Sequence, residues 1–122
     1  MKLRIKGNSI RFRLTQSEVK IVEQTGAVRD QINFPNGLSL IYEIKAESGI
    51  ENLEPIYDEN KITLKVSLSE ISEWALSDEV TISGSAELPD DENLTILIEK
   101  DFKCLSPRDE DESDMFPHPK QQ

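Results

Sequence analysis

The sequence predicts an α+β fold, mostly β, in which two duplicated ββαββ units form a pseudo-twofold antiparallel barrel with two short helices. Three observations predict it. Residues 10–28 (IRFRLTQSEVKIVEQTGAV) overlie residues 62–80 (ITLKVSLSEISEWALSDEV) at an offset of 52 without a gap, with Ile10/Ile62, Ser17/Ser69, Glu18/Glu70 and Val28/Val80 identical. Each copy begins with alternating apolar and polar residues, the period that sends strand side chains to opposite faces. Each then carries a helix-start signature followed by a short stretch of helical spacing.

The first hairpin follows from a change of phase. Leu3 and Ile5 are apolar at odd positions, whereas Ile10, Phe12 and Leu14 are apolar at even ones. A two-residue turn at Gly7-Asn8 absorbs the slip and pairs Lys6 with Ser9, Ile5 with Ile10, Arg4 with Arg11, Leu3 with Phe12 and Lys2 with Arg13. One face is then apolar and the other carries five cations. A bulged single strand would absorb the same slip.

Thr15-Gln16-Ser17-Glu18 reads as a capping box, the Thr15 hydroxyl accepting from an early helix amide while the Glu18 carboxylate reaches back to the Thr15 amide. Val19 and Val22 share one helical face, and Gly26 supplies the stop. Residues 28–34 and 38–46 read as strands about Pro35-Asn36-Gly37, whose Asn-Gly pair favours positive φ.

The second half repeats this order. Residues 53–57 and 61–66 flank Asp58-Glu59-Asn60, and Ser67-Leu68-Ser69-Glu70 is a second capping box. Ile71 and Trp74 take the places of Val19 and Val22, which makes Trp74 a core anchor. Residues 79–87 and 94–102 close the unit around a longer loop at Pro89 to Asn93, where the alignment takes its one insertion. The halves differ in charge: Lys2, Arg4 and Lys6 correspond to an acidic segment with Glu51, Glu54 and Asp58. The domain reading is a single duplicated unit over residues 1–106, with repeats at about 2–47 and 53–102, and an acidic, proline-containing tail at 107–122.

A chain of 122 residues can bury a core without disulfide or metal. It has no apolar run approaching the roughly 20 residues of a membrane span, so no membrane partner is expected. The single cysteine, Cys104, excludes an internal disulfide and agrees with a reducing, cytoplasmic setting. Net charge is −10, yet residues 1–14 carry +5 and the remainder −15, so any electrostatic partner should meet the first hairpin. The global charge disfavours nucleic acid and leaves a macromolecular partner, most simply a protein, as the expectation.

Two interleaved ββαββ units, typified by KITLKVSLSEISEWALSDEVTIS, resemble the swapped-hairpin barrel of AbrB-like transition-state regulators, here with both halves in one chain. That resemblance implies a closed barrel and a DNA-binding role through basic residues, and the acidic composition departs from it. Over nearly its whole length, through KLRIKGNSIRFRLTQSEV, EWALSDEVTI and LIEKDFKCLSPRDEDESDMFP, the chain also resembles a small bacterial family of uncharacterised proteins. This second resemblance implies no activity.

The first candidate site is the cationic hairpin face of Lys2, Arg4, Lys6, Arg11 and Arg13. Placing Arg4 opposite Arg11 and Lys2 opposite Arg13 is repulsive, so anions should compensate, whether carboxylates of the same fold, a bound partner or the acidic tail. The second is Cys104, whose thiolate Lys103 and Arg108 would favour, in a cleft suited to an enzyme or small-ligand carrier. His118 is the only histidine, and nothing in the pattern holds it beside Cys104 as an activating base. The acids at 109–114 lack the glycine-centred spacing of a calcium loop and read as a solvated tail. Phosphate-loop, HExxH, GxSxG and CxxC signatures are missing from the sequence, which therefore predicts no catalytic residue, metal or cofactor.

Overall fold

The computed structural model describes residues 1–102 and Phe116. Ten elements follow in order: β1 (Lys2–Ile5), β2 (Ser9–Leu14), α1 (Gln16–Thr25), β3 (Ala27–Asn33), β4 (Ser39–Glu47), β5 (Glu54–Asp58), β6 (Lys61–Ser67), α2 (Leu68–Leu76), β7 (Thr81–Glu87) and β8 (Asn93–Lys100). The first hairpin has the register read from the phase change, with Lys2 opposite Arg13, Leu3 opposite Phe12, Arg4 opposite Arg11 and Ile5 opposite Ile10. Gly7 turns at φ 55°, and the Lys6 amide donates to the Ser9 carbonyl at 3.0 Å.

The helix starts follow their caps. Glu18 N–H donates to the Thr15 hydroxyl and the Thr15 amide donates to Glu18, completing the box. At α2 the Ser67 hydroxyl accepts from Glu70 N–H and meets the Ser69 hydroxyl at 2.9 Å, so this cap is one half of the expected box. Helix α1 ends on Gly26 at φ 86°, whose amide donates to the Val22 carbonyl. That left-handed turn is one a β-carbon would strain.

The expected closed antiparallel barrel is not what forms. The strands make two separate four-stranded sheets, ordered β1-β2-β8-β7 and β3-β4-β6-β5, and neither is closed. Each sheet is mixed: antiparallel hairpins join through a parallel pair, β2 with β8 and β4 with β6. Tight turns dictate antiparallel pairing only within a hairpin. Hairpins from different halves are joined by longer paths, and their direction is set by how their apolar faces pack. The halves interleave, since each sheet takes one hairpin from either half, and exchanging the halves turns one strand order into the other.

The inner faces of the sheets meet α1 and α2 in one core, where Phe12, Leu14, Ile44, Leu64, Trp74 and Ile98 are fully buried. Each such side chain contributes about 1.5–3 kcal/mol relative to exposure. Val19 and Val22 of α1 and Ile71 and Trp74 of α2 are the buried helical residues, as the spacing predicts. Trp74 satisfies its ring N–H on the Val80 carbonyl at 3.0 Å, and the Lys100 ammonium lies 5.5 Å from the ring centre.

The insertion between the halves lies elsewhere than expected. In register, Val28 opposes Ile44 and Ile82 opposes Ile98, so the equivalent of Val28 is Ile82, 54 residues on, and Val80 precedes β7. The two hairpin loops close identically, Phe34 N–H onto the Leu38 carbonyl and Leu88 N–H onto the Glu92 carbonyl, both at 2.8 Å. The extra residues therefore sit after α2, where Ser77 to Val80 replace the compact Gly26 turn.

Candidate anion-binding face

Alternation in β2 buries Phe12 and Leu14, so Arg11 and Arg13 point outward. The register then sets Lys2 and Arg4 beside them on β1, with Lys6 at the hairpin mouth. The five sequence-predicted cations of this hairpin thus share one face. Adjoining positions of β8 and β7 are Thr95, Leu97 and Glu99, then Thr81, Ser83 and Ser85. The face grades from guanidinium and ammonium groups to hydroxyls.

The fold supplies part of the compensation that the repulsive pairs require. Arg11 Nε and Arg13 Nε lie 3.2 and 3.3 Å from the same Glu99 Oε1, and Lys2 Nζ lies 3.1 Å from Asp101 Oδ2. Glu99 is opposite Arg13 in the parallel register and diagonal to Arg11. Sequence reasoning missed both acids, although the signal was present: Glu99 and Asp101 interrupt the apolar strand two residues apart and so leave it on one face. Cys104 and Arg108, the other predicted site residues, lie outside the described residues, as do His118 and the acids at 109–114.

The corresponding face of the other sheet is built differently. By register, Lys2, Arg4 and Lys6 have their equivalents in Glu54, Ile56 and Asp58, so Glu51 precedes the strand and an isoleucine stands for Arg4. At its centre Glu43 is 5% exposed, with Oε1 3.0 Å from Lys61 Nζ. That oxygen has no directed hydrogen bond, so the contact is an off-axis ion pair.

A third charged group caps the start of β1. The Met1 α-amine contacts Glu18 Oε2 and Asp30 Oδ2, the latter at 3.2 Å, and the Tyr42 hydroxyl donates to the Met1 carbonyl at 3.2 Å. Burial by itself would lower the amine's pKa, but hydrogen bonds to Glu18 and Asp30 carry it above its ordinary value. Burial works to raise Glu18, and the bonds from the amine and from Thr15 outweigh it and hold the carboxyl below the usual range. Asp30 is lowered first by the Gln31 amide and then by the amine. Tyr42 is raised by burial and by the negative charges of Asp30 and Glu18.

Among the described residues, no group of three or more His, Cys, Asp or Glu side chains is placed to hold a metal ion. No described helix is long and apolar enough to cross a membrane. A family model of unknown function, DUF7009, matches residues 1–120. The chain belongs to this family. No curated protein and no solved structure matches the chain. Membership in DUF7009 agrees with the family resemblance read from the sequence and brings no activity to the face just described.

Proposed function

We propose that this chain is a non-enzymatic binding module whose outward β1–β2 face engages an anionic macromolecular partner, most simply a protein. The observation that carries the reading is the concentration of cations on that face among the described residues. Five cations stand on β1, β2 and the turn between them, while the outward positions of β8 that are opposite β2 include one carboxylate, Glu99, with Asp101 following the strand. A positive field on a chain of net charge −10 selects for local, not global, complementarity. Duplication of about residues 2–47 into 53–102 accounts for the exchangeable strand orders, and divergence between Lys2/Arg4/Lys6 and Glu54/Ile56/Asp58 assigns this face to one half.

Affinity purification from the native host tests the reading, using the wild type, a Lys2→Gln/Arg4→Gln/Lys6→Gln variant and a form ending at Ser106. A partner lost in the neutralised variant and in high salt supports it. An identical partner set in all three proteins refutes it, and a DNA fragment as the retained partner favours an antitoxin-like regulator instead.

A second reading, a small-ligand carrier, draws on a groove of about 530 Å³ between α1, the end of α2 and the exit of β8, lined by Leu14, Lys20, Ala75, Asp78, Lys100 and Phe102. Its volume falls in the range of about 300–1,000 Å³ common for small-molecule sites. Cys104 and Arg108 follow Phe102 in sequence. A metabolite screen read by Trp74 fluorescence, through the Lys100 contact, would detect an occupant, and no response across the screen removes this reading.

A further inference from the structure

We propose that a hollow within the basic face receives one phosphate monoester carried on an extended protein segment. The inference rests on the binding-face reading and names the chemistry of its partner. Arg4, Lys6, Ser9 and Arg11 line a hollow of about 120 Å³ at the hairpin. That is room for a compact group, well below the roughly 300–1,000 Å³ of pockets that enclose drug-sized ligands. The lining supplies two planar guanidinium forks, an ammonium and a hydroxyl, the donor set that matches tetrahedral oxygens. Arg11 meets Glu99 through Nε and lines the hollow with the same side chain, so the carboxylate orients the guanidinium as well as balancing it.

A phosphomonoester fits this arrangement better than a nucleic-acid backbone. Its charge of about −1.5 to −2 is concentrated on one group, whereas a polyanion must bring further phosphates against an acidic chain. No aromatic side chain occupies an outward position of β1, β2 or β8, so the stacking platform of single-strand binders is missing there.

The edge of the sheet indicates how the segment would lie. The Lys6 amide bonds the Ser9 carbonyl, so by antiparallel alternation Arg4 and Lys2 also turn their backbone groups toward β2. Leu3 and Ile5 therefore present theirs to the side of β1 away from β2, which is an edge among the described residues and where the Ile5 side chain is 59% exposed. A segment adding along that edge would place every second side chain on the cationic face and set a phosphoserine over the hollow.

Isotope-labelled full-length protein titrated with a short extended peptide bearing one central phosphoserine, its unphosphorylated form and an oligothymidylate tests the assignment. The phosphopeptide should bind about tenfold or more tightly than the unphosphorylated form and shift the amide resonances of residues 3–5 and 9–11. Lys6→Gln should weaken it about tenfold with an unchanged melting temperature, because Lys6 is exposed. Equal binding of both peptide forms at this face overturns the phosphate assignment and leaves the binding-face reading standing. Tighter binding of the oligothymidylate overturns the choice of a peptide. A face unmoved by any of the three overturns both readings.

Discussion

The two places where β1 and β5 begin are equivalent in topology and opposite in chemistry. Met1 precedes β1 as Leu53 precedes β5, and Asp30 occupies the position in β3 that Gly84 occupies in β7, opposite Tyr42 and Ile96 respectively. In the first half the junction is polar: the Met1 amine is held by Glu18 and Asp30, and Tyr42 caps the Met1 carbonyl. In the second it is apolar: Leu53, 6% exposed, lies so close over Gly84 that a β-carbon there would stand 2.7 Å from Leu53 Cδ1. One edge is tied to the opposite sheet by charge and the other by shape. The first arrangement should respond to pH and salt, the second to volume.

The largest expected effect is therefore at Leu53. Leu53→Ala empties a buried site and should cost about 2–5 kcal/mol in a denaturant melt; a cost below 0.5 kcal/mol, the size of an ordinary surface change, would mean that the apolar junction does not hold the edge. Gly84→Ala should follow at about 1–3 kcal/mol, since Leu53 Cβ and Cγ, both 3.2 Å from the added carbon, must give along with the flexible Cδ1. In the Leu53→Ala background the same glycine substitution should be nearly neutral, and additive costs in the double mutant would show that the two residues do not act as a pair.

At the polar junction Glu18→Ala removes the capping-box carboxylate and one partner of the amine, and a loss of about 1–2 kcal/mol is expected. Asp30→Asn removes a half-exposed partner and should change stability by no more than about 1 kcal/mol, which 0.5 M salt should abolish.

The pH profile separates the two junctions most directly. Glu18 and Asp30 have lowered pKa values, so their stabilisation is present above the ordinary 4.5 and 3.8 and is lost as pH falls through the lower folded values. The Met1 amine is raised, so its contribution is complete below its ordinary 8.0 and is lost as pH rises through the higher folded value. Wild-type stability should therefore fall at both ends. Glu18→Gln/Asp30→Asn should flatten the curve, whereas Leu53→Ala should lower it without changing its shape. A profile that moves with Leu53→Ala instead would reverse the assignment.

Much of the fold was legible because the deciding contacts are local. The Gly7-Asn8 turn follows from a phase change across two residues, and the Thr15 cap from a hydroxyl and a carboxylate three positions apart. The misplaced insertion was invisible for a definite reason. A shift of two residues keeps the same strand face toward the core, so alternation cannot distinguish Val80 from Ile82 as the equivalent of Val28. What separates them is the Val80 carbonyl, which accepts from Trp74 Nε1 and from the Lys100 amide and so holds Val80 in the helix-to-strand link. The candidate site divided in the same way: its five cations were readable from one hairpin, whereas the pairing of Arg11, Arg13 and Lys2 with Glu99 and Asp101 depends on β8 lying beside β2.

What the sequence determined by itself was which residues share a strand face, where each helix begins and that cations gather on the first hairpin, since these depend on neighbours along the chain. Only the tertiary structure decided that β2 runs parallel to β8, that Arg11 and Arg13 converge on Glu99, and that the two strand starts are secured by different forces. Those outcomes join residues far apart in sequence, and the packing of hairpin against hairpin selects them where periodicity alone leaves several arrangements equally patterned.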